Sequence, residues 1–222
     1  MAAEGRGRHK GIAPESMYAS GRQQEAATYI AESPDARRVT LFYFDVEAEG
    51  EDPQQDRLIT IQYQPLGDDL RPIGSLAVLT EWEWGEKEIV RAFLPKGLLD
   101  PTWDFVPVGN RLRFDLTFLM EKAQRHGLRA WSPAELRRFW FEKPVLDLGS
   151  VLVLMNAGRF EGSSIESFAD KGPSAEIPIL YRKGKFPEIL EYVEHERDVT
   201  LALLAEMRSM LTAFGERKRR RD

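Results

Sequence analysis

Residues 39–47 have the sequence VTLFYFDVE, an apolar run that ends in two acids separated by one residue. The run predicts a β-strand from Val39 to Asp45. Residues i and i+2 of a strand point to the same face, so the carboxylates of Asp45 and Glu47 should leave the sheet side by side. Neighbouring like charges repel, and a buried carboxylate needs a partner. A hard divalent cation such as Mg²⁺ or Mn²⁺ is a partner of suitable chemistry.

Two further acids extend this predicted metal site. Asp115 ends the sequence NRLRFD, residues 110–115, at the start of a predicted helix, and Asp198 lies in the last predicted helix. Each acid also has a simpler interpretation. Asp115 could serve only as a helix-start residue, where the helix dipole favours a negative charge. Asp198 could be solvated or paired with an arginine.

In this order, the three acidic segments resemble the sequence motifs of the DEDD superfamily of 3′-5′ exonucleases, and most of all those of the exonuclease domain of family B DNA polymerases. The resemblance covers most of the chain and implies a ribonuclease H-like fold. It implies a metal-dependent 3′-5′ exonuclease that hydrolyses nucleic-acid phosphodiesters, with DNA carrying a single-stranded 3′ end as its substrate. It also implies two Mg²⁺ or Mn²⁺ ions as cofactors, held by Asp45, Glu47, Asp115 and Asp198.

The third motif departs from the family pattern. The related exonucleases carry a Tyr four residues before the final Asp, or a His five residues before it, and this side chain orients or deprotonates the attacking water. Before Asp198 these positions hold Glu194 and Val193. Glu194 lies one helical turn from Asp198, and His195 lies three residues from it and carries an imidazole, a common general base. Glu194, His195 and activation by the metal ions alone therefore stay open as alternatives, whereas Tyr192 lies six residues before Asp198 and should point elsewhere.

Nucleic-acid contacts are expected near these motifs, because phosphates must reach the metal ions against the repulsion of the carboxylates. The candidates come from the second motif and from the loop before the last helix: Asn110, Arg111, Arg113, Phe114, Arg182, Lys183 and Lys185. Each basic residue has a competing interpretation as an ordinary surface charge, and Phe114 has one as a packing residue.

Composition and charge limit the alternatives. The chain has 222 residues, no cysteine and a formal net charge of −5. The absence of cysteine excludes disulfides and thiolate metal sites, and the three histidines have no ligand-like spacing, so zinc is not expected. The sequence also contains no phosphate-binding G-x-x-x-x-G-K-[ST] loop and no G-x-S-x-G nucleophile motif. The negative charge gives no overall attraction to nucleic acid, so local basic patches would have to supply it.

We divide the chain into three segments. Residues 1–37 form a predicted flexible arm, residues 38–214 the exonuclease domain, and residues 215–222 a basic tail, which is more typical of a solvated end than of a nucleic-acid contact. No apolar stretch reaches the length of a membrane span, and the N-terminus has no apolar signal-peptide core. A cytoplasmic location without a membrane partner is the resulting expectation.

The hydrophobic pattern predicts an α/β fold, and the resemblance specifies it as a ribonuclease H-like mixed sheet with an antiparallel meander, flanked by helices. The predicted strands are Val39–Asp45, Leu58–Gln64, Ser75–Leu79 and Asp104–Val108. The predicted helices are Glu86–Leu94, Phe114–His126, Leu146–Met155, Ser164–Ala169 and a long one from about Pro187 onward, and Lys171–Phe186 is a predicted loop. Phe42 and Phe44 of the first strand are expected to be core residues. The apolar residues that recur at helical spacing in the last helix are expected to pack it on the sheet: Val199, Leu203, Met207, Met210, Leu211 and Phe214. The competing function is a nucleic-acid-binding or scaffold protein that keeps this fold without turnover.

Overall fold

The computed structural model describes residues 41–169 and 174–219, with side chains up to residue 209. The predicted N-terminal arm, residues 1–37, lies outside the described residues. The backbone of residues 215–219 continues the last helix. The side chains of the predicted basic tail, residues 215–222, lie outside the described part of the chain.

Five strands form one mixed sheet. They are β1 (Leu41–Ala48), β2 (Leu58–Leu66), β3 (Ala77–Thr80), β4 (Val106–Gly109) and β5 (Leu146–Asp147), in the spatial order β3-β2-β1-β4-β5. Strands β1, β2 and β3 make an antiparallel meander, whereas β4 runs parallel to β1 and β5 runs parallel to β4. The predicted α/β fold with a mixed sheet and an antiparallel meander is confirmed.

Helices cover both faces of this sheet. In the described residues they are α1 (Glu81–Trp84), α2 (Glu86–Phe93), α3 (Leu112–Arg125), α4 (Pro133–Glu142), α5 (Leu148–Met155), α6 (Ile177–Arg182) and α7 (Phe186–Arg219). None of these helices has both the length and the apolar character needed to cross a membrane.

The alternation of β1 sends its side chains into two different environments. Phe42, Phe44 and Val46 are buried on one face, in a core cluster that includes residues of α2, α3 and α4. The ring of Phe42 stacks on Phe105 with centroids 4.0 Å apart. The prediction that Phe42 and Phe44 are core residues is therefore confirmed. The other face of β1 carries Tyr43 followed by the two acids.

Helix α7 covers the second face of the sheet. Leu201 and Leu204 pack in one cluster with Tyr43, while Ile189 and Val193, one and two turns from the start of the helix, pack in another with Ile59. The predicted packing of the last helix is confirmed for Val199, Leu203 and Met207, which lie against the first of these clusters. The side chains of Met210, Leu211 and Phe214 lie outside the described part.

Three described stretches that were not predicted as helices are helical: the short helix α1, α4 and α6. Helix α4 begins with a capping box, in which the hydroxyl of Ser132 accepts a hydrogen bond from the N–H of Glu135 and the carboxylate of Glu135 accepts one from the N–H of Ser132. Helix α6 lies inside Lys171–Phe186, which was predicted as a loop. Pro178 stands in its first turn, where the missing N–H of proline costs no hydrogen bond.

Two other predictions need correction. The predicted helix Leu146–Met155 starts later than expected, because Leu146 and Asp147 extend the sheet as β5 and Asp147 then caps α5 by accepting a hydrogen bond from the N–H of Gly149. The predicted helix Ser164–Ala169 is only a 3₁₀ turn at Ile165–Ser167.

Candidate functional site

Three carboxylates from distant parts of the chain meet at one point. Asp45 and Glu47 come from β1, and Glu196 comes from α7. One oxygen of each side chain lies within 4.8 Å of the other two. Glu47 and Glu196 are buried, and Asp45 is partly buried. The predicted pair does leave the sheet side by side, and its partner from the last helix is Glu196.

A tight connection between β4 and α3 places Asp115 near this cluster. Gly109 ends β4 so close to β1 that a Cβ atom there would lie 2.4 Å from the carbonyl oxygen of Phe44. Arg111 follows in the left-handed region, with φ 55° and ψ 33°, which is uncommon for a residue with a side chain. Its N–H donates a hydrogen bond to Oδ1 of Asp147 at 3.0 Å. Asp115 then falls in the first turn of α3, as predicted.

The surroundings of Asp115 disfavour its charge. Burial raises the pKa of this carboxyl well above its usual range, and the negative charges of Asp45 and Glu196 raise it further. Across the described residues, no group donates a hydrogen bond to Oδ2 of Asp115. A buried carboxylate oxygen without a donor, beside other carboxylates, is unfavourable for the protein alone. Four carboxylates are, however, a suitable donor set for hard divalent cations, which prefer oxygen ligands.

Tyr192 also belongs to this cluster. It lies four residues before Glu196 on α7, so the two side chains occupy neighbouring turns of one helix face. The pKa of Tyr192 is raised, first by burial and then by the charges of Glu196, Glu47 and Asp45. The tyrosine spacing of the exonuclease motif is therefore present, with Glu196 in the place of the expected aspartate. The sequence analysis missed both residues because it measured this spacing from Asp198.

The structure does not bring Asp198 to the cluster. Two residues after Glu196, it points to the opposite side of the helix, because 3.6 residues make one turn. Its side chain is 65% exposed and accepts a hydrogen bond from Nε of Arg197 at 2.7 Å. The paired, solvated interpretation thus describes Asp198, and the candidate ligand from this helix is corrected to Glu196. Glu194 and His195, the candidate bases, are likewise exposed.

Strand β2 carries three buried polar residues that stand opposite the acidic face of β1: Thr60 opposite Glu47, Gln62 opposite Asp45 and Gln64 opposite Tyr43. Nε2 of Gln62 donates a hydrogen bond to Oδ2 of Asp45 at 3.3 Å. Gln64 has other partners, since it donates to the carbonyl oxygen of Gly74 and accepts from Nη1 of Arg197, both at 2.8 Å. Of these two amides, Gln62 is therefore the one that orients a carboxylate of the cluster.

A cavity of about 400 Å³ opens over the four carboxylates, and we call it the acidic cavity. Three of the predicted nucleic-acid contacts, Asn110, Arg111 and Phe114, line it. The other four candidates do not. Arg113 lies over the ring of Trp140, 5.6 Å from its centroid, and Nζ of Lys185 pairs with Glu188 at 3.0 Å. Arg182 and Lys183 are exposed at the end of α6.

A solved nuclease shares this architecture. E. coli Exonuclease I in complex with a dT13 oligonucleotide matches with a TM-score of 0.51 and 15% sequence identity, over 81% of this chain and 43% of that one. The fold is ribonuclease H-like. The chain therefore spans less than half the length of Exonuclease I. No family model matches the chain, and no curated protein is significantly similar in sequence.

Two further structures of exonuclease I are similar to this chain at lower TM-scores. The zinc-bound E. coli ExoI–ssDNA complex has a TM-score of 0.47 and 16% identity, over 76% of this chain and 40% of that one. Exonuclease I from Methylocaldum szegediense has a TM-score of 0.41 and 20% identity, over 56% of this chain and 31% of that one. The narrower resemblance to family B polymerases stays a prediction.

Proposed function

We propose that this chain is a metal-dependent 3′-5′ exonuclease that hydrolyses phosphodiesters at single-stranded 3′ ends of DNA. The observation that supports this function best is the convergence of Asp45, Glu47, Glu196 and Asp115 beneath one cavity of a ribonuclease H-like fold. The DNA preference is supported by the dT13 oligonucleotide in the E. coli Exonuclease I complex.

The four carboxylates are the proposed ligands of two Mg²⁺ or Mn²⁺ ions. Asp45, Glu47 and Glu196 are close enough to share one ion, and Asp115, whose Oδ2 has no donor within the described part of the chain, would serve a second ion. When bound, such ions supply an acidified water and neutralise charge on the phosphoryl oxygens. Gln62 holds Oδ2 of Asp45 in a fixed direction, which is the usual task of a residue behind a metal ligand.

The remaining residues of the acidic cavity would position the substrate. The guanidinium of Arg111 offers two parallel donors for a phosphate, and the side chain of Asn110 lies beside it. Phe114 offers a ring at the wall of the cavity for contact with a sugar or a base. The hydroxyl of Tyr192, which lies near Glu196 on α7, would hold a water near the scissile phosphate. In this proposal Tyr192 takes the role that the sequence analysis considered for Glu194 and His195.

Two end-labelled oligonucleotides test this function. Single-stranded DNA labelled at its 5′ end should yield a ladder of stepwise shortened products in Mg²⁺ or Mn²⁺, whereas a 3′ label should be released at once as a mononucleotide. EDTA should abolish both signals. Cleavage that survives EDTA, or internal cuts without a ladder, would contradict the proposal. The same assay on RNA of equal sequence measures the preference for DNA.

One observation favours a second candidate function. The third motif has a glutamate where the exonuclease pattern has an aspartate, and a longer ligand can displace an ion from its catalytic position. The chain would then be a nucleic-acid-binding or scaffold protein that keeps the fold. Metal-dependent binding of the oligonucleotide without any cleavage, at enzyme in excess over substrate, would select this second function.

A further inference from the structure

The acidic cavity is bounded by three stretches of the chain, and one of them belongs to a short helix. The first stretch is the end of β1 with the loop that follows it, and the second is the start of α3. The third consists of Ser174, Ala175 and Pro178, which come from a 3₁₀ turn and from the first residues of α6. The position of α6 therefore limits the space over the carboxylates.

Helix α6 depends on the rest of the molecule for this position. It has six residues, and helices shorter than about 12 residues are marginal in water without tertiary contacts. Of these six residues, which are all described, one is fully buried. This residue is Ile177, which packs with Ile59, Ile189 and Val193. One buried side chain fixes a point on a helix but not its direction, so a contact at the other end of α6 has to fix the direction.

Tyr181, three residues after Pro178, makes such a contact. Its hydroxyl donates a hydrogen bond to Oε2 of Glu81, the first residue of α1, and accepts one from Nη1 of Arg57 at 3.0 Å. Arg57 directly precedes β2, and its Nη1 also pairs with Oε1 of Glu81 at 3.7 Å. The guanidinium of Arg57 lies over the ring of Tyr181, 6.0 Å from its centroid. We call Arg57, Glu81 and Tyr181 the latch.

The surroundings of the latch favour its hydrogen bonds. Burial and the hydrogen bond to Glu81 raise the pKa of Tyr181, so its hydroxyl keeps the proton that it donates. The side chain of Glu81 is 14% exposed, and a carboxylate with so little solvent needs donors from the protein. The ring of Tyr181 lies between two other aromatic rings, 6.1 Å from Phe186 and 6.4 Å from Trp82. The latch thus joins α6 to two elements that are distant from it in sequence.

We propose that Tyr181 is a positioning residue of the acidic cavity, whose hydroxyl fixes α6 to α1 and to the start of β2 and so holds Pro178 in the wall that the substrate strand contacts. This inference rests on the proposed function, because the nucleic-acid strand is the occupant that this wall would meet. Tyr181 is not among the described residues that line the cavity, so it acts through α6. A strand that binds only the latched form loses affinity in proportion to the fraction of chains in that form.

The latch is tested first without DNA. Hydrogen exchange of the amides of α6 is measured by mass spectrometry in the unchanged chain and in Tyr181→Phe, with residues 196–204 of α7 as the internal reference. Removing the hydroxyl should speed the exchange of α6 about three- to tenfold, the range that corresponds to the net contribution of one hydrogen bond. The exchange of the reference residues should change less than about twofold.

Steady-state kinetics then separate substrate binding from the chemical step. On labelled single-stranded DNA in Mn²⁺, Tyr181→Phe should raise KM about three- to tenfold and change kcat less than about twofold, because bound substrate holds α6 in the latched position. Glu81→Ala should have the same effect. The double variant should resemble each single variant within about twofold, because both substitutions remove the same contact. The Mn²⁺ affinity of all three variants, measured by calorimetry, should stay within about twofold of that of the unchanged chain.

Arg57→Met and Arg91→Met are matched variants. Both arginine side chains are 51% exposed and each pairs with a glutamate, but Arg91 pairs with Glu88 within α2. Arg57→Met should raise KM, whereas Arg91→Met should leave KM unchanged. Unchanged exchange of α6 in Tyr181→Phe, additive losses in the double variant, or a joint loss of kcat and Mn²⁺ affinity would overturn the role of Tyr181. Exchange needs neither DNA nor cleavage, so it decides the latch even in a chain that never cleaves labelled DNA, an outcome that would overturn the proposed function alone.

Discussion

Glu196 brings its carboxylate to the cluster on a side chain one methylene longer than that of aspartate. The extra bond adds a rotamer to be fixed, and this ordering has an entropic cost that packing must offset. The environment provides such packing, since Glu196 is 5% exposed and lies on the same helix face as the buried residues Val193 and Thr200. Asp198, two residues later, forms an exposed ion pair with Arg197.

A pair of amide variants separates these two acids. Glu196→Gln should weaken Mn²⁺ binding more than about 100-fold, because even residues behind a metal ligand are worth about 10–100-fold in affinity. Its melting temperature in EDTA should stay the same or rise, since one of several repelling charges is removed. Asp198→Asn should change Mn²⁺ affinity less than about twofold, because exposed ion pairs contribute little. Calorimetric titration with Mn²⁺ decides this, and a larger loss in Asp198→Asn would restore that residue to the site.

The sequence was sufficient for the half of the site that lies on the strand and the second motif, but it did not identify the acid on the helix. Asp45 and Glu47 follow from strand periodicity, and Asp115 from its motif. The buried face of α7 reads Ile189, Val193, Glu196, Thr200 and Leu204, so it starts well before Val199, where the apolar stripe was taken to begin. Glu196 and Thr200 interrupt the apolar residues of this face, so the sequence did not show where the buried face begins. That starting point decides which acid faces the sheet.

Lys143 has an unusual environment outside the site. It is 7% exposed, and Nζ donates to the carbonyl oxygens of Gly97 at 3.1 Å and Thr102 at 3.0 Å. Burial lowers its pKa to about 8, against the smaller opposing effects of Asp100 and Asp104. The folded chain therefore releases this proton at a lower pH than the unfolded chain, in which a lysine titrates at about 10.4.

The pH dependence of unfolding should show this difference. Between about pH 8 and 10.4 the unfolded state binds more protons at Lys143, so the free energy of unfolding should rise with pH through this window. Lys143→Met removes the contribution, and the stability of the unchanged chain relative to this variant should increase from pH 8 to pH 10. Denaturant titrations at three pH values measure it. If the free energies of unfolding of the two proteins change with pH in parallel, Lys143 does not have a lowered pKa in the folded chain.

At the scale of elements, β2 offers a comparison within one strand face. Gln62 and Gln64 are both almost fully buried, but only Gln62 contacts Asp45. Gln62→Met should weaken Mn²⁺ binding about 10–100-fold. Gln64→Met should leave Mn²⁺ affinity unchanged while lowering stability by about 1–3 kcal/mol, because the carbonyl of Gly74 and Arg197 lose a partner. Calorimetric titration with Mn²⁺ and thermal melting of both variants check this. Equal losses of Mn²⁺ affinity would mean that Gln62 and Gln64 both affect the site only through the stability of the fold.

The elements missed by the sequence analysis have local signals of different strength. The start of helix α4 is indicated by Ser132 and Glu135, which form a capping box, and by Pro133 in the first turn. This signal was readable from the sequence. Strand β5 was not, because two residues cannot show a period and its pairing with β4 depends on the tertiary position of Asp147.

At the scale of the whole molecule, the cluster joins the first strand to the last helix, about 150 residues apart in sequence. Ions that bind this arrangement bind only the folded chain and should stabilise it. At 100 times the dissociation constant the gain is about 2.7 kcal/mol, or about 5–10 °C in melting temperature. Asp45→Asn should lose this shift and should melt in EDTA at the same temperature as the unchanged chain or above it. Equal shifts in both proteins would place the bound ions elsewhere.

The position of Glu196 on the last helix also sets an order of events on the ribosome. At a synthesis rate of about 5–20 residues per second, the strand with Asp45 and the helix with Asp115 emerge several seconds before α7. In that interval the nascent chain has three of its four carboxylates, and the face of the sheet around Tyr43 and Val108 lacks the part of its cover that Leu201 and Leu204 of α7 provide. An mRNA truncated before the codons of α7 would therefore yield an inactive, aggregation-prone product that chaperones bind and proteases degrade. The proposed nuclease would acquire its activity only after α7 has emerged.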